Sequence, residues 1–235
     1  MQLFYNREIN KNITSFTFDK TESRHIVRVL RKTEGDTIYI TNGDGILFTG
    51  EISVASDKKC IVNILNYDLK EKAWNYHLHI AVAPTKLNDR MEWFLEKATE
   101  IGIDEITPII CKHSERKVVK KERLEKIVLS GMKQSLKFHL PKINEAVTFK
   151  QFIASKPTGK LFIAHCEEQE KKSFKTEISP NTDITILIGP EGDFAPSEIE
   201  AALNNNYSPV TFGNSRLRTE TAALVACHSV AFVNE

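Results

Sequence analysis

Ile184-Thr-Ile-Leu-Ile-Gly-Pro-Glu-Gly-Asp-Phe194, continued by Ala195-Pro-Ser-Glu-Ile-Glu200, reads as a strand, a tight loop and the start of a helix. The aliphatic run Ile184 to Ile188 is short and bounded by turn residues, the pattern of a buried strand. It stops at Gly189-Pro190, where glycine permits unusual φ and proline removes a donor. Pro196 suits the first position of a helix that carries Ile199, Ala202 and Leu203 on one face. Loops at the carboxyl ends of strands are where α/β sheets bind ligands. Helix amino termini favour anions, but Glu191 and Asp193 would repel a phosphate at short range. No Lys-Ser/Thr follows, which excludes a Walker-type loop. A neutral or cationic ligand fits better; the plain alternative is an ordinary strand-to-helix turn with solvated carboxylates.

A second stretch follows closely. Pro209-Val-Thr-Phe-Gly213 reads as another short strand ending in glycine, then Asn214-Ser-Arg-Leu-Arg-Thr-Glu-Thr-Ala222 runs into an apolar final helix. Thr219 or Thr221 is expected to cap that helix, and Glu220 suits its positive end. Arg218 then stands at the mouth of a strand-loop-helix turn, beside the first loop if the two strands are neighbours.

Together the loops resemble those of the knotted SPOUT methyltransferases, and within them the 16S ribosomal RNA uracil-N3 methyltransferases of the RsmE family. That family shows an I-G-P-E-G-G-F loop and an L-G-x-x-x-L-R-T-E-T-A loop; here they stand as Ile188 to Phe194 and Phe212 to Ala222. The likeness continues through Lys86-Leu-Asn-Asp-Arg-Met-Glu-Trp93, Glu96-Lys97, Glu100-Ile-Gly102, Ser114-Glu-Arg116, Gln134-Ser135 and Pro141. His25-Ile-Val-Arg-Val-Leu-Arg31 matches the family's H-x-x-x-V-L-R signature. Four positions depart from the pattern: Asp193 replaces a glycine, Ala195 a serine, Arg216 an aliphatic residue, and Lys137 a common arginine.

Composition bounds the rest. The chain has 235 residues, 41% of them hydrophobic, enough for a real core in one or two domains. A net charge of +1 supplies no global field toward nucleic acid or membrane, so RNA binding has to come from local patches. No apolar run approaches the ~20 residues that span a bilayer, the amino terminus lacks a signal-peptide layout, and four scattered cysteines without C-x-x-C spacing argue against a disulfide framework or zinc site. A cytoplasmic protein is expected. His77 and His79 share one strand face, but no carboxylate or cysteine at suitable spacing joins them, and no metal is expected.

Residues 1 to about 70 read mainly as strands, with a hairpin at Asn42-Gly-Asp-Gly45. One helix is expected over Glu22 to Lys32, with His25, Arg28 and Lys32 along one stripe. From His77 onward strands alternate with helices: Ile106 to Cys111 and Leu161 to His165 read as strands. Helical faces run through Met91 and Phe94, capped by Asn88 or Asp89, and through Leu124 and Ile127. Alternation of this kind implies a mostly parallel sheet covered on both faces. No G-x-G-x-G follows an early strand, so a Rossmann-type methyltransferase is unsupported.

The resemblance therefore implies an α/β protein: a PUA-like β-barrel RNA-binding domain over 1–70, a linker over 71–76, and a SPOUT methyltransferase domain with a carboxyl-terminal trefoil knot over 77–235. It implies S-adenosylmethionine held by His165, Cys166, Glu167, Ile188, Gly189, Pro190, Glu191, Gly192, Phe212, Gly213, Leu217, Arg218 and Thr221. Arg24, His25, Arg28, Arg31, Lys86, Arg90 and Arg116 are the expected RNA contacts, with Arg116 foremost in the basic run Lys112 to Lys126. Uracil N3 must lose a proton; Arg218 is placed to stabilise the resulting charge, and Glu220 or Glu191 to take the proton. The expected partners are 16S rRNA of the 30S subunit and a second copy of the chain, whose contact would involve Leu224, Val225, Val230 and Phe232. The competing readings are a non-catalytic ribosome-assembly factor and a SPOUT enzyme with another RNA target.

Overall fold

The structure, a computed structural model, describes residues 1–167 and 170–235. It separates into two compact units, residues 1–72 with 132–140 and residues 73–131 with 141–235.

The first unit is a curled mixed sheet of five strands: β1 (Leu3–Tyr5), β2 (Ser15–Thr17), β3 (Thr37–Thr41), β4 (Ile46–Val54) and β5 (Ile61–Leu69), in the order β1-β3-β4-β5-β2. Register shifts at Thr49/Gly50 and Ile52/Val54 bend the long hairpin β4–β5, as bulges do. Phe4, Ile26, Ile38, Ile40, Phe48 and Ile52 fill its concave side. The Asn42-Gly-Asp-Gly45 turn forms with Gly43 and Gly45 at φ +81° and +79°. Gly43 and Gly45 exchange backbone hydrogen bonds with Leu140 and Phe138, which ties segment 132–140 to this unit.

The helix expected from Glu22 to Lys32 is shorter and not uniform. Helix α1 (Lys20–Arg24) is capped by the Asp19 carboxylate, which accepts from the Glu22 amide at 2.8 Å. A π-helical turn, His25–Val29, follows, and Arg31 then adopts φ +55°. A π turn holds more residues than an α turn, so the expected stripe of His25, Arg28 and Lys32 is broken. Lys32 instead donates to the Thr37 carbonyl.

The second unit carries β6 (Leu78–Val82), α2 (Asn88–Ile101), β7 (Glu105–Ile110), α3 (Lys121–Gln134), β8 (Lys142–Ile143), β9 (Val147–Thr148), α4 (Phe149–Ala154), β10 (Lys160–Ala164), β11 (Lys172–Ser173), α5 (Phe174–Glu177), β12 (Ile184–Ile188), α6 (Pro196–Leu203), β13 (Ser208–Thr211) and α7 (Thr219–Val233). Helix α3 runs across the boundary, its last residues belonging to the first unit. The sheet order is β11-β13-β10-β12-β6-β7-β8, with β9 also on β7, and every pair is parallel. Strands β6 and β12 are buried along their whole length, which is why they read as unbroken apolar runs. Helix α7 packs on α2, β6 and β12.

Three local expectations change. Strands β12 and β13 are not neighbours; β10 lies between them. Helix α2 begins after Leu87 with no side-chain cap, so neither Asn88 nor Asp89 caps it. Helix α7 begins after an extended Arg218, again without a side-chain cap. Thr219 already lies inside it and spends its hydroxyl elsewhere. From β13 the chain returns past β10 to begin α7 at the end of β12, where Thr219 meets Gly189. Among the described residues no helix is long and apolar enough to cross a membrane.

Candidate functional site

The parallel strands β10, β12 and β13 end on one side of the sheet, and the three loops that leave them enclose a cleft of about 790 Å³. His165 and Cys166 come from the first loop, Ile188 to Glu191 from the second, and Phe212, Gly213, Leu217 and Arg218 from the third. All of these were expected from the sequence. Asp193, Lys171, Arg216 and Thr219 line the same cleft. They were not among the expected cofactor residues, although Asp193, Arg216 and Thr219 lie inside the quoted stretches. Glu167, Gly192 and Thr221 do not line it. Gly192 turns toward His113, whose Nδ1 lies 3.1 Å from the Gly192 carbonyl and 3.2 Å from that of Asp193. Thr221 faces a neighbouring hollow.

Hydrogen bonds of long sequence separation join the loops. The Thr219 hydroxyl donates to the Gly189 carbonyl at 2.9 Å, fixing the start of α7 on the second loop. The Asp193 carboxylate accepts from the Cys166 amide at 2.7 Å and from the Phe194 amide at 2.9 Å. The Glu191 carboxylate accepts from the Lys86 amide at 3.0 Å through one oxygen, while its other oxygen is buried without a partner among the described residues. Lys171 donates to the carbonyls of His165 and Glu167 at 3.1 and 2.6 Å. At Gly189 the close neighbour is the buried Phe194 ring, 3.0 Å from where a Cβ would stand.

His165 is only 6% exposed, and neither of its ring nitrogens has a hydrogen-bond partner among the described residues. Burial, and then the Lys171 charge, holds its pKa below the usual histidine value. A buried imidazole on a cleft wall with no partner among the described residues keeps both ring nitrogens free for hydrogen bonding. Arg218 and Arg216 are exposed, and their side chains have no ion pair or hydrogen bond among the described residues.

A hollow of about 600 Å³ adjoins this cleft through Arg216, Leu217 and Arg218. Asp89, Arg90, Trp93, Glu220 and Thr221 complete it. Glu220 is 6% exposed; one oxygen lies 3.8 Å from Arg90 Nε and the other has no partner among the described residues. A third hollow, of about 800 Å³, lies between α4 and α6. Its Glu198 is already committed to the amides of Lys112 and Ala195.

The expected RNA contacts fall in both units. Arg24 and Arg31 are exposed, Arg28 is paired with Asp57 at 2.8 Å, and His25 lies 3.6 Å from Glu22. Lys86 pairs with Glu115 at 2.8 Å. Arg116 is largely spent within the protein, donating to the carbonyls of Thr85 and Lys86 at 3.1 and 2.7 Å. It braces the turn before α2. His79 Nε2 lies 2.7 Å from the Thr107 hydroxyl, and His77 lies 3.5 Å from Glu105. Among the described residues no cluster of three metal-binding side chains occurs.

Residues 72–231 match the family model described as an RNA methyltransferase domain, and residues 18–65 match that of an RNA methyltransferase PUA domain. The ribosomal RNA small subunit methyltransferase E of Rickettsia conorii is 31% identical over 96% of this chain and 95% of its own. The chain belongs to the RsmE family. Among solved structures, a probable rRNA-methyltransferase from Porphyromonas gingivalis is 42% identical, with a TM-score of 0.92 over 100% of this chain and 98% of that one. The ribosomal RNA small subunit methyltransferase E of Neisseria gonorrhoeae, solved bound to S-adenosyl methionine, is 25% identical, with a TM-score of 0.87 over 100% and 98%. The chain thus combines the SPOUT fold with a PUA-like half-barrel.

Two of the four departures from the RsmE pattern have structural readings. Asp193 sits at φ +60°, a conformation glycine adopts freely and aspartate adopts at modest cost. Ala195 provides no side-chain cap, but Glu198 still accepts from its amide at 2.9 Å, the reciprocal half of a capping box.

Proposed function

We propose that the protein transfers a methyl group from S-adenosylmethionine to N3 of a uridine in 16S ribosomal RNA of the small subunit, in the cytoplasm. The observation that carries this reading is the three-loop cleft of an RsmE-family chain, with carboxylates and an unpartnered imidazole on its walls. The cleft's residues fit the donor. Glu191 and Asp193 suit a cationic sulfur, Ile188, Val210 and Leu217 offer apolar walls to a purine, and Gly189 and Gly213 line the cleft without side chains that would fill it.

Bound S-adenosylmethionine supplies an electrophilic methyl group. Direct displacement then depends on positioning and electrostatics. Arg218 holds its charge at neutral pH and stabilises the negative charge that spreads over the uracil carbonyl oxygens as N3 is deprotonated. Glu220 takes that proton through its unpartnered oxygen. Glu191 is the less suited acceptor, since the Lys86 amide already holds one of its oxygens. The exposed Arg24 and Arg31, and Arg28 once released from Asp57, hold RNA phosphates by charge.

The boundaries 1–70 for the RNA-gripping part and 77–235 for the catalytic part belong to the same proposal, as does a homodimer formed through α2 and α7. Trp93 on α2 is 45% exposed and Phe232 on α7 is 66% exposed, which supports a covered apolar face there. Val230, by contrast, is buried within the chain's own core.

The test is methyl transfer from radiolabelled S-adenosylmethionine to unmodified 30S subunits, followed by nucleoside analysis. Label in 3-methyluridine of 16S rRNA is the expected result. Donor binding without transfer to any RNA would instead favour an assembly factor, and label in another nucleoside a different target.

A further inference from the structure

Asp193 stands where the family's loop has glycine, and its carboxylate does something glycine cannot. It takes the Cys166 amide at 2.7 Å across 27 residues of sequence, while its own amide closes the turn on the Pro190 carbonyl at 2.9 Å. Strands β10 and β12 are paired up to Ala164 and Ile188, so backbone bonding between them ends where these two loops begin. Beyond that point the first loop is held from two sides. Asp193 accepts from the amide of residue 166, and Lys171 donates to the carbonyls of residues 165 and 167. His165, whose buried ring nitrogens have no partner among the described residues, is itself one of the residues held, through its carbonyl.

We propose that Asp193 is a positioning residue that latches the His165–Glu167 loop onto the Gly189–Asp193 loop, pre-forming the cleft, and that its charge favours a sulfonium ligand over the neutral thioether left after transfer. The proposal rests on the reading of the cleft as the methyl-donor site. A fixed first loop removes an ordering cost from binding. A carboxylate on the cleft wall attracts the cationic donor and gives no such attraction to the neutral product, so the charge weakens product inhibition.

The test uses the full chain with Asp193→Gly and Asp193→Asn. Glycine is the residue other family loops carry here, and asparagine also tolerates positive φ, so both variants retain the turn. Affinities for S-adenosylmethionine and S-adenosylhomocysteine are measured by calorimetry, and Cys166 amide exchange by NMR without ligand. In Asp193→Gly the Cys166 amide exchanges about tenfold faster and donor affinity falls about tenfold, the loss expected for a charge-assisted hydrogen bond. Asp193→Asn keeps an acceptor but loses the charge, so its preference for donor over product falls about threefold. Unchanged Cys166 exchange in Asp193→Gly overturns the latch, and an unchanged donor-to-product ratio in Asp193→Asn overturns the role of the charge. If the unsubstituted protein binds neither ligand, the donor-site reading fails, while ligand-free exchange still decides the latch.

Discussion

Arg218 presents a full charge at the edge of two adjoining hollows, with no partner among the described residues to neutralise it. A cation kept unpaired at the protein surface is available for charge that develops during reaction. Arg218→Ala is expected to lower single-turnover methyl transfer about 100-fold while donor affinity changes by less than about threefold. Arg218→Lys should recover only part of the rate, because the planar fork is lost. Thr219 is the opposite kind of residue, buried and fully engaged. Thr219→Val keeps the shape but removes the donor to the Gly189 carbonyl. It should cost about 1–2 kcal/mol in urea unfolding, the usual penalty for a hydrogen bond lost in a buried setting.

At the scale of elements, the loops work because their strands hold them rigidly and their glycines admit close packing. A Cβ at Gly189 would stand 3.0 Å from two atoms of the Phe194 ring, which is itself buried in the core between α4, α6 and the sheet. Gly189→Ala is expected to destabilise the fold by about 1–3 kcal/mol, as overpacking does, and to weaken donor binding with it; a chemical-denaturation series beside calorimetry would show both. Strands β6 and β7 carry a pH-sensitive pair. Burial holds the pKa of His79 at about 4 against an ordinary 6.5, and its Nε2 meets Thr107. Between those pH values the unfolded chain binds more protons than the native one, so stability rises with pH across that window. The contribution is complete above about pH 6.5 and is lost as pH falls toward 4, about 3 kcal/mol in all. His79→Gln should flatten that part of the urea midpoint profile between pH 4.5 and 7.5.

For the whole molecule, a net charge of +1 means that RNA affinity has to arise from placed side chains and not from a global field. Arg24 and Arg31 are exposed on either side of the π-helical turn, whereas Arg28 is held by Asp57 and Arg116 by two backbone carbonyls. Substituting Arg24 or Arg31 by alanine is expected to lower the slope of log affinity for 30S subunits against log salt by about 1 each. Arg116→Ala should instead act mainly through stability, by releasing the turn before α2. A filter-binding salt series, run beside a thermal melt for each variant, separates these effects.

The residues that make this chain recognisable lie in runs of a dozen or fewer. A buried aliphatic strand, a loop that needs glycine, and an apolar helix declare themselves through residue type at fixed spacing, so pattern alone determined the α/β class, while the resemblance of the motifs to a known family supplied the PUA-like β unit and most of the cleft residues. What it left open depends on contacts between distant positions. Only packing places β10 between β12 and β13, brings Thr219 onto Gly189 across 30 residues, and lets Asp193 take the Cys166 amide. Packing likewise gathers residues 132–140 onto the hairpin at Gly43, commits Arg116 to backbone carbonyls, and puts a π-helical turn inside an expected α-helix. Local propensity ranks conformations one stretch at a time, whereas a polar group's partner is chosen by whichever distant group the finished core brings within reach.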